Sequence, residues 1–250
     1  MDGTIYLDND VFDGTLDFIE KVREKGGKYL FVTNNSSKGV DAYVAKMKRL
    51  GIPADSDNFL TSTDATILYL KNNYPKALFY VMGTESFVGQ LRDAGIKVTT
   101  DIKEGICGIV ISNDQELTFK KLDDICRLLA SGVEIYVATN PDWVCPTAFG
   151  YVPDCGSFAW MIEKATGRRP LFIGKPQPEM LLLAMKKYGY NREESVMIGD
   201  RVYTDIAAGY NAKIDTVFVL SGEGTLKDVE NADTKPTYIM KNIRELYNNI

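Results

Sequence analysis

Residues 196–205 read VMIGDRVYTD, and this stretch is the most informative about the fold. The apolar run at 196–198 predicts a buried strand that ends in Gly199 and Asp200. A carboxylate at that point lies at the carboxyl edge of a parallel sheet, where open α/β folds bind ligands. Asp205 follows at the start of a predicted helix, close enough to support the first carboxylate.

Two aspartates on one strand-to-helix loop suit a Mg²⁺ ion, which takes oxygen ligands and retains several waters. A helix N-cap at Thr204 or Asp205, with a turn at Asp200, explains the same residues without any metal. This stretch taken alone leaves both interpretations open.

Outward from this stretch, apolar β-rich runs alternate with amphipathic helical patterns along the chain. Strands are predicted, for example, at 28–33, 77–82, 108–112, 134–139 and 171–173, and helices at 14–25, 40–50, 85–94, 119–131, 157–166 and 178–188. The segment 140–154, rich in Pro, Gly and aromatic residues, predicts a loop. The alternation predicts a mostly parallel sheet with helices on both faces.

The composition of the chain excludes several classes of function. The 250 residues include 45% hydrophobic and 25% charged residues, as expected for a globular protein, and the net charge of −5 argues against nucleic acid as the main partner. No apolar run approaches the roughly 20 residues that span a bilayer, and no signal-peptide pattern is visible. We therefore expect a cytoplasmic protein with no membrane partner.

The chain contains no histidine, which excludes Ser-His-Asp and Cys-His catalysis and histidine-ligated metals. Acid–base chemistry must then come from Asp, Glu, Lys or Tyr. The four cysteines form no C-x-x-C pair, so free structural thiols are expected.

Two further motifs follow predicted strands. Gly174-Lys175-Pro176 opens a helix after strand 171–173, and its lysine can neutralise a phosphate or a carboxylate, or lie on the surface. Residues 33–37 read TNNSS after strand 28–32. A hydroxyl and successive N–H groups there can bind a phosphate, although a helix cap or Asn-rich turn explains them equally.

Together these motifs resemble the haloacid dehalogenase superfamily. Its order is matched by Asp2-Gly3-Thr4, Thr33, Lys175, Asp200 and Asp205. The long insert between Thr33 and Lys175 resembles the NagD / para-nitrophenyl phosphatase subgroup, as do the stretches TNPD at 139–142 and GKP at 174–176. The resemblance covers essentially the whole chain.

The resemblance implies an α/β fold in two parts. A doubly wound, mostly parallel Rossmann-like core sheet is expected from residues 1–82 and 171–250, with an inserted α/β cap at 83–170. By the same resemblance, Asn140, Asp142 and Trp143 in the cap are candidates for selecting the substrate, although the loop's aromatic residues fit the cap's own core equally well. A homodimer through the cap is expected.

The resemblance also implies Mg²⁺-dependent hydrolysis of small phosphomonoesters through an aspartyl-phosphate. Asp2 resembles the general acid, Thr33 with the N–H groups of Gly3 and Asn34 resembles the phosphate-binding set, and Lys175 offsets negative charge. The expected partner is a small phosphorylated metabolite.

The metal set implied by the resemblance is Asp2, Asp200 and Asp205. Asp200 is expected to bind Mg²⁺ directly and Asp2 through its backbone carbonyl. Asp205 is expected to act through a water or by orienting Lys175.

The sequence departs from the family pattern at one place. The family's nucleophilic aspartate lies two residues ahead of Asp2, at the end of the first core strand, whereas the sequence as given starts at Met1. We expect this sequence as written to be inactive, with unpaired strand edges and exposed apolar faces in the core. A shortened record and a non-catalytic relative that binds a phosphorylated ligand are the competing explanations.

Overall fold

The computed structural model describes residues 1–147 and 149–250. Its strands, in chain order, are β1 (Tyr6–Leu7), β2 (Asp10–Val11), β3 (Phe31–Thr33), β4 (Phe59–Thr61), β5 (Leu78–Met82), β6 (Lys97–Thr99), β7 (Ile106–Ile111), β8 (Ile135–Ala138), β9 (Val144–Thr147), β10 (Gly150–Pro153), β11 (Leu171–Phe172), β12 (Val196–Gly199), β13 (Asp215–Val219) and β14 (Tyr238–Met240). Its α-helices are α1 (Thr15–Glu24), α2 (Val40–Arg49), α3 (Ser62–Asn73), α4 (Glu85–Asp93), α5 (Phe119–Ala130), α6 (Cys155–Thr166), α7 (Glu179–Tyr188), α8 (Ala207–Ala212), α9 (Leu226–Asn231) and α10 (Ile243–Asn248).

The chain forms two compact units. The first unit comprises Met1–Thr33, Tyr43–Leu60 and Lys175–Ile250, and the second unit comprises Asn34–Ala42 and Thr61–Gly174. The alternating α/β architecture with parallel strands confirms the predicted fold class. Among the described residues, no helix combines the length and apolarity needed to cross a bilayer.

The second unit contains one continuous parallel sheet of five strands in the order β11-β8-β7-β5-β6. Strand β7 reads ICGIVI, and its last four residues are buried, as expected for a strand covered on both faces. Helices α5 and α6 contribute to the same buried cluster, through residues such as Ile125, Leu129 and Ile162.

The second unit begins earlier and ends later than the cap expected at 83–170. Strand β5 pairs with β7, and β11 pairs with β8, so both belong to the sheet of the second unit. No composition change marks either boundary, because β5 and β11 have the same apolar character as core strands.

An antiparallel hairpin of β9 and β10 occupies most of the segment that the sequence predicted as a loop. Its Pro and Gly residues hid the alternation of a strand pair, and all four residues of β9 are only half-buried. Ala148, in the same segment, lies outside the described residues.

The first unit has a divided sheet. Strands β12, β13 and β14 form one parallel group, and β3 pairs with β4 in a separate two-stranded group. A short hairpin, β1 with β2, stands apart from both groups. A mainly apolar cavity of about 390 Å³ is lined by residues of both β3 and β12.

Candidate active site

The first unit contains a buried ion pair between Lys175 and Asp205. The Nζ atom of Lys175 is 2.5 Å from Oδ1 of Asp205, and both side chains are 8% exposed. Lys175 also donates a hydrogen bond of 3.2 Å to the carbonyl of Val32, which is followed by Thr33 at the end of β3. The second oxygen of Asp205 accepts a bond from the backbone N–H of Arg201.

Asp205 lies in a π-helical turn, Val202–Ile206, that directly precedes α8. Burial alone raises the pKa of its carboxyl, but the charge and hydrogen bond of Lys175 outweigh that effect, so the pKa lies below its ordinary value. Gly199 is required beside it, because a Cβ at that position would lie 2.3 Å from the Cβ of Asp205. Asp205 is therefore an ionised partner that holds Lys175 in place.

Asp200, at the end of β12, is 4% exposed and surrounded by donors. Its Oδ1 accepts a 3.0 Å bond from the hydroxyl of Thr4, and its Oδ2 accepts a 3.0 Å bond from the N–H of Glu223. Gly3 and Gly222 approach it closely, since a Cβ on either would lie 2.3 Å or 2.1 Å from Oδ2. Both glycines are thus explained by close packing around one carboxylate.

Burial raises the pKa of the Asp200 carboxyl, and the negative charge of Asp205 raises it further. The positive charge of Arg201 offsets the rise at Asp200 only in part, whereas Asp205 forms a close ion pair with Lys175. A buried carboxylate whose negative charge is offset only in part fits a hard cation such as Mg²⁺, for which one or two carboxylates plus waters suffice.

The three residues of the expected metal set differ in what they offer. Asp200 accepts its two bonds from a neutral hydroxyl and a backbone N–H, whereas Asp205 accepts one of its two bonds from the ammonium of Lys175. The side chain of Asp2 is 39% exposed and lies 3.5 Å from Nζ of Lys46. Within the part of the chain that the structure describes, no three acidic or cysteine side chains converge as a metal cluster.

Gly3 has a different local role from the expected one. Its N–H donates a 2.9 Å bond to the carbonyl of Tyr6, so this N–H is already engaged and not directed to a phosphate. Its φ of 78° lies in the left-handed region, and its carbonyl accepts a 2.7 Å bond from the hydroxyl of Ser221. Gly3 thus allows the N-terminal turn to pack against Asp200.

The second unit holds a separate cluster of buried polar residues. Asn34 and Asn140 each donate an amide hydrogen bond to Oδ2 of Asp142, at 2.7 Å and 2.8 Å. Asn140 donates another, of 3.1 Å, to Asp154, which caps the N-terminus of α6 through the N–H of Cys155. This cluster ties the start of the 34–37 segment to the loop after β8 and to α6.

The three candidates for substrate selection therefore divide into two kinds. Asn140 and Asp142 are at most 2% exposed and bond within the second unit, which suits positioning rather than contact with a substrate. Trp143 is 50% exposed, and its side chain remains accessible. The four cysteines are free thiols, as predicted, and burial raises the pKa of Cys155 to about 12.

Sequence reasoning missed several residues around Asp200 and Asp2. Thr4, Ser221 and Glu223 supply bonds at this site, and Lys46 lies beside Asp2. The stretch SGEG at 221–224 follows β13, so a glycine-rich loop at the carboxyl end of a neighbouring strand was the available signal. For Lys46, in the middle of α2, the sequence carries no local signal.

Comparisons with known proteins identify the family of this chain. Residues 1–97 match the family model described as haloacid dehalogenase-like hydrolase, and residues 172–246 match the HAD-hydrolase-like model. The chain is 35% identical over 245 residues to an acid sugar phosphatase of Staphylococcus aureus, which covers 98% of this chain and 93% of that protein.

Solved structures show the same similarity. A 4-nitrophenylphosphatase of Thermotoga maritima has a TM-score of 0.91 and 38% identity, covering 99% of this chain and 94% of that one. NagD of Escherichia coli has a TM-score of 0.86 and 28% identity over 98% and 95%. A glycerol phosphate phosphatase of Mycobacterium tuberculosis, solved with magnesium, has a TM-score of 0.90 and 27% identity over 98% and 74%. This chain therefore belongs to the haloacid dehalogenase superfamily, in its NagD-like branch.

Proposed function

We propose that this protein is a Mg²⁺-dependent phosphatase that hydrolyses small phosphomonoesters through an aspartyl-phosphate. The observation that carries the proposal is the buried Lys175–Asp205 pair, whose ammonium lies at the carboxyl end of β3 beside Thr33. A lysine held by one carboxylate and one carbonyl is preorganised to stabilise negative charge that develops on a phosphoryl group. The similarity to proteins described as phosphatases supports the same reaction class.

Each residue has a distinct task in this proposal. The hydroxyl of Thr33 and the N–H of Asn34, the next residue, bind phosphoryl oxygens, and Lys175 offsets their charge. Asp2, which is partly exposed, protonates the leaving alcohol and then activates water. The aspartate that attacks phosphorus is assigned by family resemblance to the position two residues ahead of Asp2, which is not part of the sequence given.

Asp200 holds the Mg²⁺ ion in this proposal, together with the backbone carbonyl of Asp2. A bound Mg²⁺ supplies Lewis-acid stabilisation of the phosphoryl oxygens. Asp205 fixes Lys175 through the ion pair between them and acts on the metal through a bound water.

The test is hydrolysis of para-nitrophenyl phosphate by the purified chain, with MgCl₂ or with EDTA. We expect Mg²⁺-dependent turnover once an aspartate is supplied ahead of Asp2, and a loss of roughly 10²-fold or more in Asp200→Asn. Asp215→Asn is the matched control, because Asp215 is an exposed aspartate on the neighbouring strand β13. Turnover by the extended chain without Mg²⁺ would contradict the proposal. So would an Asp200→Asn variant of the extended chain that is as active as the unchanged one.

A second candidate is a non-catalytic protein that binds a phosphorylated small molecule. The same ion pair favours it, because charge stabilisation at Lys175 requires no nucleophile. Calorimetric titration with inorganic phosphate distinguishes the two. Binding that Lys175→Met abolishes, with no turnover even in the extended chain, selects the binding protein.

The partner proposed for either function is a small phosphorylated metabolite rather than nucleic acid, given the net charge of −5. Trp143, which is 50% exposed, stays a predicted substrate-selecting residue. A homodimer through the second unit stays a prediction, and sedimentation equilibrium tests it. A cytoplasmic location also stays a prediction.

A further inference from the structure

We propose that Lys46 is a positioning residue that holds the side chain of Asp2, so that one defined oxygen of Asp2 transfers the proton in phosphoester hydrolysis. Lys46 lies on α2, and both residues belong to the first unit. This role rests on the proposed function, in which Asp2 protonates the leaving alcohol. It adds a residue from α2 to the site, and it makes the reaction of different leaving groups depend on Lys46 to different degrees.

The backbone around Asp2 is held by hydrogen bonds within the N-terminal turn. The N–H groups of Thr4 and Ile5 both donate to the carbonyl of Met1, at 3.0 Å each. The hydroxyl of Thr4 donates to Asp200, which anchors the turn at the end of β12. These bonds fix the main chain at Asp2, but they do not fix the rotation of its partly exposed side chain.

Lys46 supplies the contact that the main chain does not. Its Nζ atom lies 3.5 Å from Oδ1 of Asp2 and 4.0 Å from the centre of the Tyr6 ring. Tyr6 is fully buried, so the cation–π contact holds the ammonium against a fixed surface. Tyr43 and Met47, on either side of Lys46 in α2, are also buried and anchor the helix. Lys46 therefore holds Oδ1 of Asp2 from a defined position.

This contact determines which oxygen of Asp2 carries the proton. An ammonium can only donate, so Oδ1 acts as its acceptor and the hydrogen of the protonated carboxyl lies on Oδ2. In the first step, the bond from phosphorus to the alcohol oxygen breaks while the nucleophilic aspartate bonds to phosphorus, and the proton on Oδ2 passes to the alcohol. In the second step, Oδ2 accepts a proton from the water that attacks phosphorus.

The ion pair between Lys46 and Asp2 is too exposed to contribute much to folding. The two side chains are 21% and 39% exposed, whereas both members of the Lys175–Asp205 pair are 8% exposed. Water screens the charges of such a pair, and its contribution to stability is small. A general acid, in contrast, acts only when its proton is aligned with the leaving oxygen. Loss of Lys46 should therefore change the reaction more than the stability.

The experiment compares two substrates of the extended chain, which carries an aspartate two residues ahead of Asp2. Benzyl phosphate releases an alkoxide that needs a proton, whereas para-nitrophenyl phosphate releases a stable phenolate of similar size. We measure kcat/KM, because it reports phosphoryl transfer to the nucleophile and not the later hydrolysis. In Lys46→Met we expect kcat/KM to fall by about tenfold or more for benzyl phosphate and by less than about twofold for para-nitrophenyl phosphate.

Three further variants define the pattern. Asp2→Asn removes the transferable proton and should show the same selective loss, of about 100-fold or more for benzyl phosphate. Lys46→Arg keeps a charged donor to Oδ1 and should keep kcat/KM for both substrates within about threefold of the unchanged value. Lys48→Met, at an exposed lysine of α2, is the matched control and should change neither.

Circular dichroism confirms that each variant is folded. If Lys46→Met does not fold, Lys46→Gln takes its place, because its shorter side chain does not reach Asp2. Equal losses for the two substrates overturn the proposal, since a structural role would affect both. So does a Lys46→Arg variant that is as defective as Lys46→Met. No turnover of either substrate by the unchanged extended chain with Mg²⁺ contradicts the proposed function itself, which separates the two failures.

Discussion

The two units of this protein differ in how continuous their parallel sheets are. The second unit pairs five strands in unbroken order, and its central residues Ile109, Val110 and Ile111 are fully buried. The first unit divides its sheet into groups with an apolar cavity between β3 and β12. Continuous pairing satisfies the backbone and fills space, while the divided sheet leaves strand edges and a cavity.

The units also differ in how they treat buried charge. In the second unit, the buried carboxylate of Asp142 accepts two amide hydrogen bonds. In the first unit, Lys175, Asp205 and Asp200 are buried together, and the pKa of Asp200 is raised by burial and by its neighbour. The buried polar groups around Asp142 bond to one another, whereas the buried charges of the first unit lie close enough to shift each other's pKa.

The largest effect is expected from Lys175→Met, which leaves Asp205 charged, buried and without its partner. Loss of one member of a buried ion pair costs about 3–5 kcal/mol of unfolding free energy. Urea-dependent amide exchange at β12 and β13 measures it in the first unit. Lys187→Met is the control, since Lys187 pairs with the exposed Asp57 and should change stability little. Equal costs for the two variants would remove the distinction between the units.

Truncation of core residues compares the packing of the units directly. Ile109→Ala in the filled sheet of the second unit should cost about 2–5 kcal/mol of unfolding free energy. Ile198→Ala should cost less, about 1–2 kcal/mol, because this side chain already borders the cavity and loses fewer contacts. Amide hydrogen exchange, measured separately in β7 and β12, gives the loss of unfolding free energy for each variant. A larger loss at Ile198 would show that the cavity is filled in solution.

The polar cluster of the second unit predicts a smaller effect. Asp142→Ala removes the acceptor shared by Asn34 and Asn140, and the lost charged hydrogen bonds should cost about 2–3 kcal/mol. Asp123→Ala is the control on α5, because Asp123 forms a solvent-exposed pair with Arg127 and its loss should be within error. Amide hydrogen exchange at β8, together with thermal melting curves, measures the loss of stability in each variant. An effect of Asp142→Ala no larger than the control would mean that water replaces the carboxylate.

The smallest effect concerns pH. The pKa of Asp200 is raised in the folded protein, so this carboxyl favours folding when protonated and opposes it as pH rises above its ordinary value near 3.8. In EDTA at pH 7, Asp200→Asn should therefore raise Tm by roughly 2–4 °C, about 1 kcal/mol. The gain in Tm should disappear below pH 3.8, where the carboxyl of Asp200 is protonated in both the folded and the unfolded chain.

The pKa of Asp205 is lowered in the folded protein, so its stabilising contribution is present above the ordinary value and is lost only at still lower pH. Scanning calorimetry in metal-free buffer separates these trends for Asp200→Asn and the unchanged protein. A Tm gain that is independent of pH would assign the effect to packing.

Local sequence predicted the elements that have strong periodicity. Helices α1, α2, α5 and α7 lie within one or two residues of their predicted ranges, because apolar residues recur on one face of each. The hairpin of β9 and β10, with only partly buried strands, was missed. Helix α9 and strand β14 were also missed, since they are short and carry few buried residues.

The sequence predicted those residues of the candidate site that directly follow a strand. Asp200 and Lys175 follow short apolar strands, and the structure places both in the first unit as buried groups. The contacts of Thr4 and Glu223 with Asp200 were not predictable, because they join residues far apart in the chain. The engagement of the Gly3 N–H by Tyr6 likewise depends on how the N-terminal turn closes.

The sequence by itself determined the alternating strand and helix order, the family and the residues that carry charge at strand ends. These properties are local, since they depend on periodicity and on residue type at a given spacing. Only the tertiary structure decided that β5 and β11 join the second unit, that Asp142 supports Asn34, and that β3 and β12 line one cavity. Strand pairing, burial and pKa depend on which distant segments meet, and that information is absent from any single stretch of the chain.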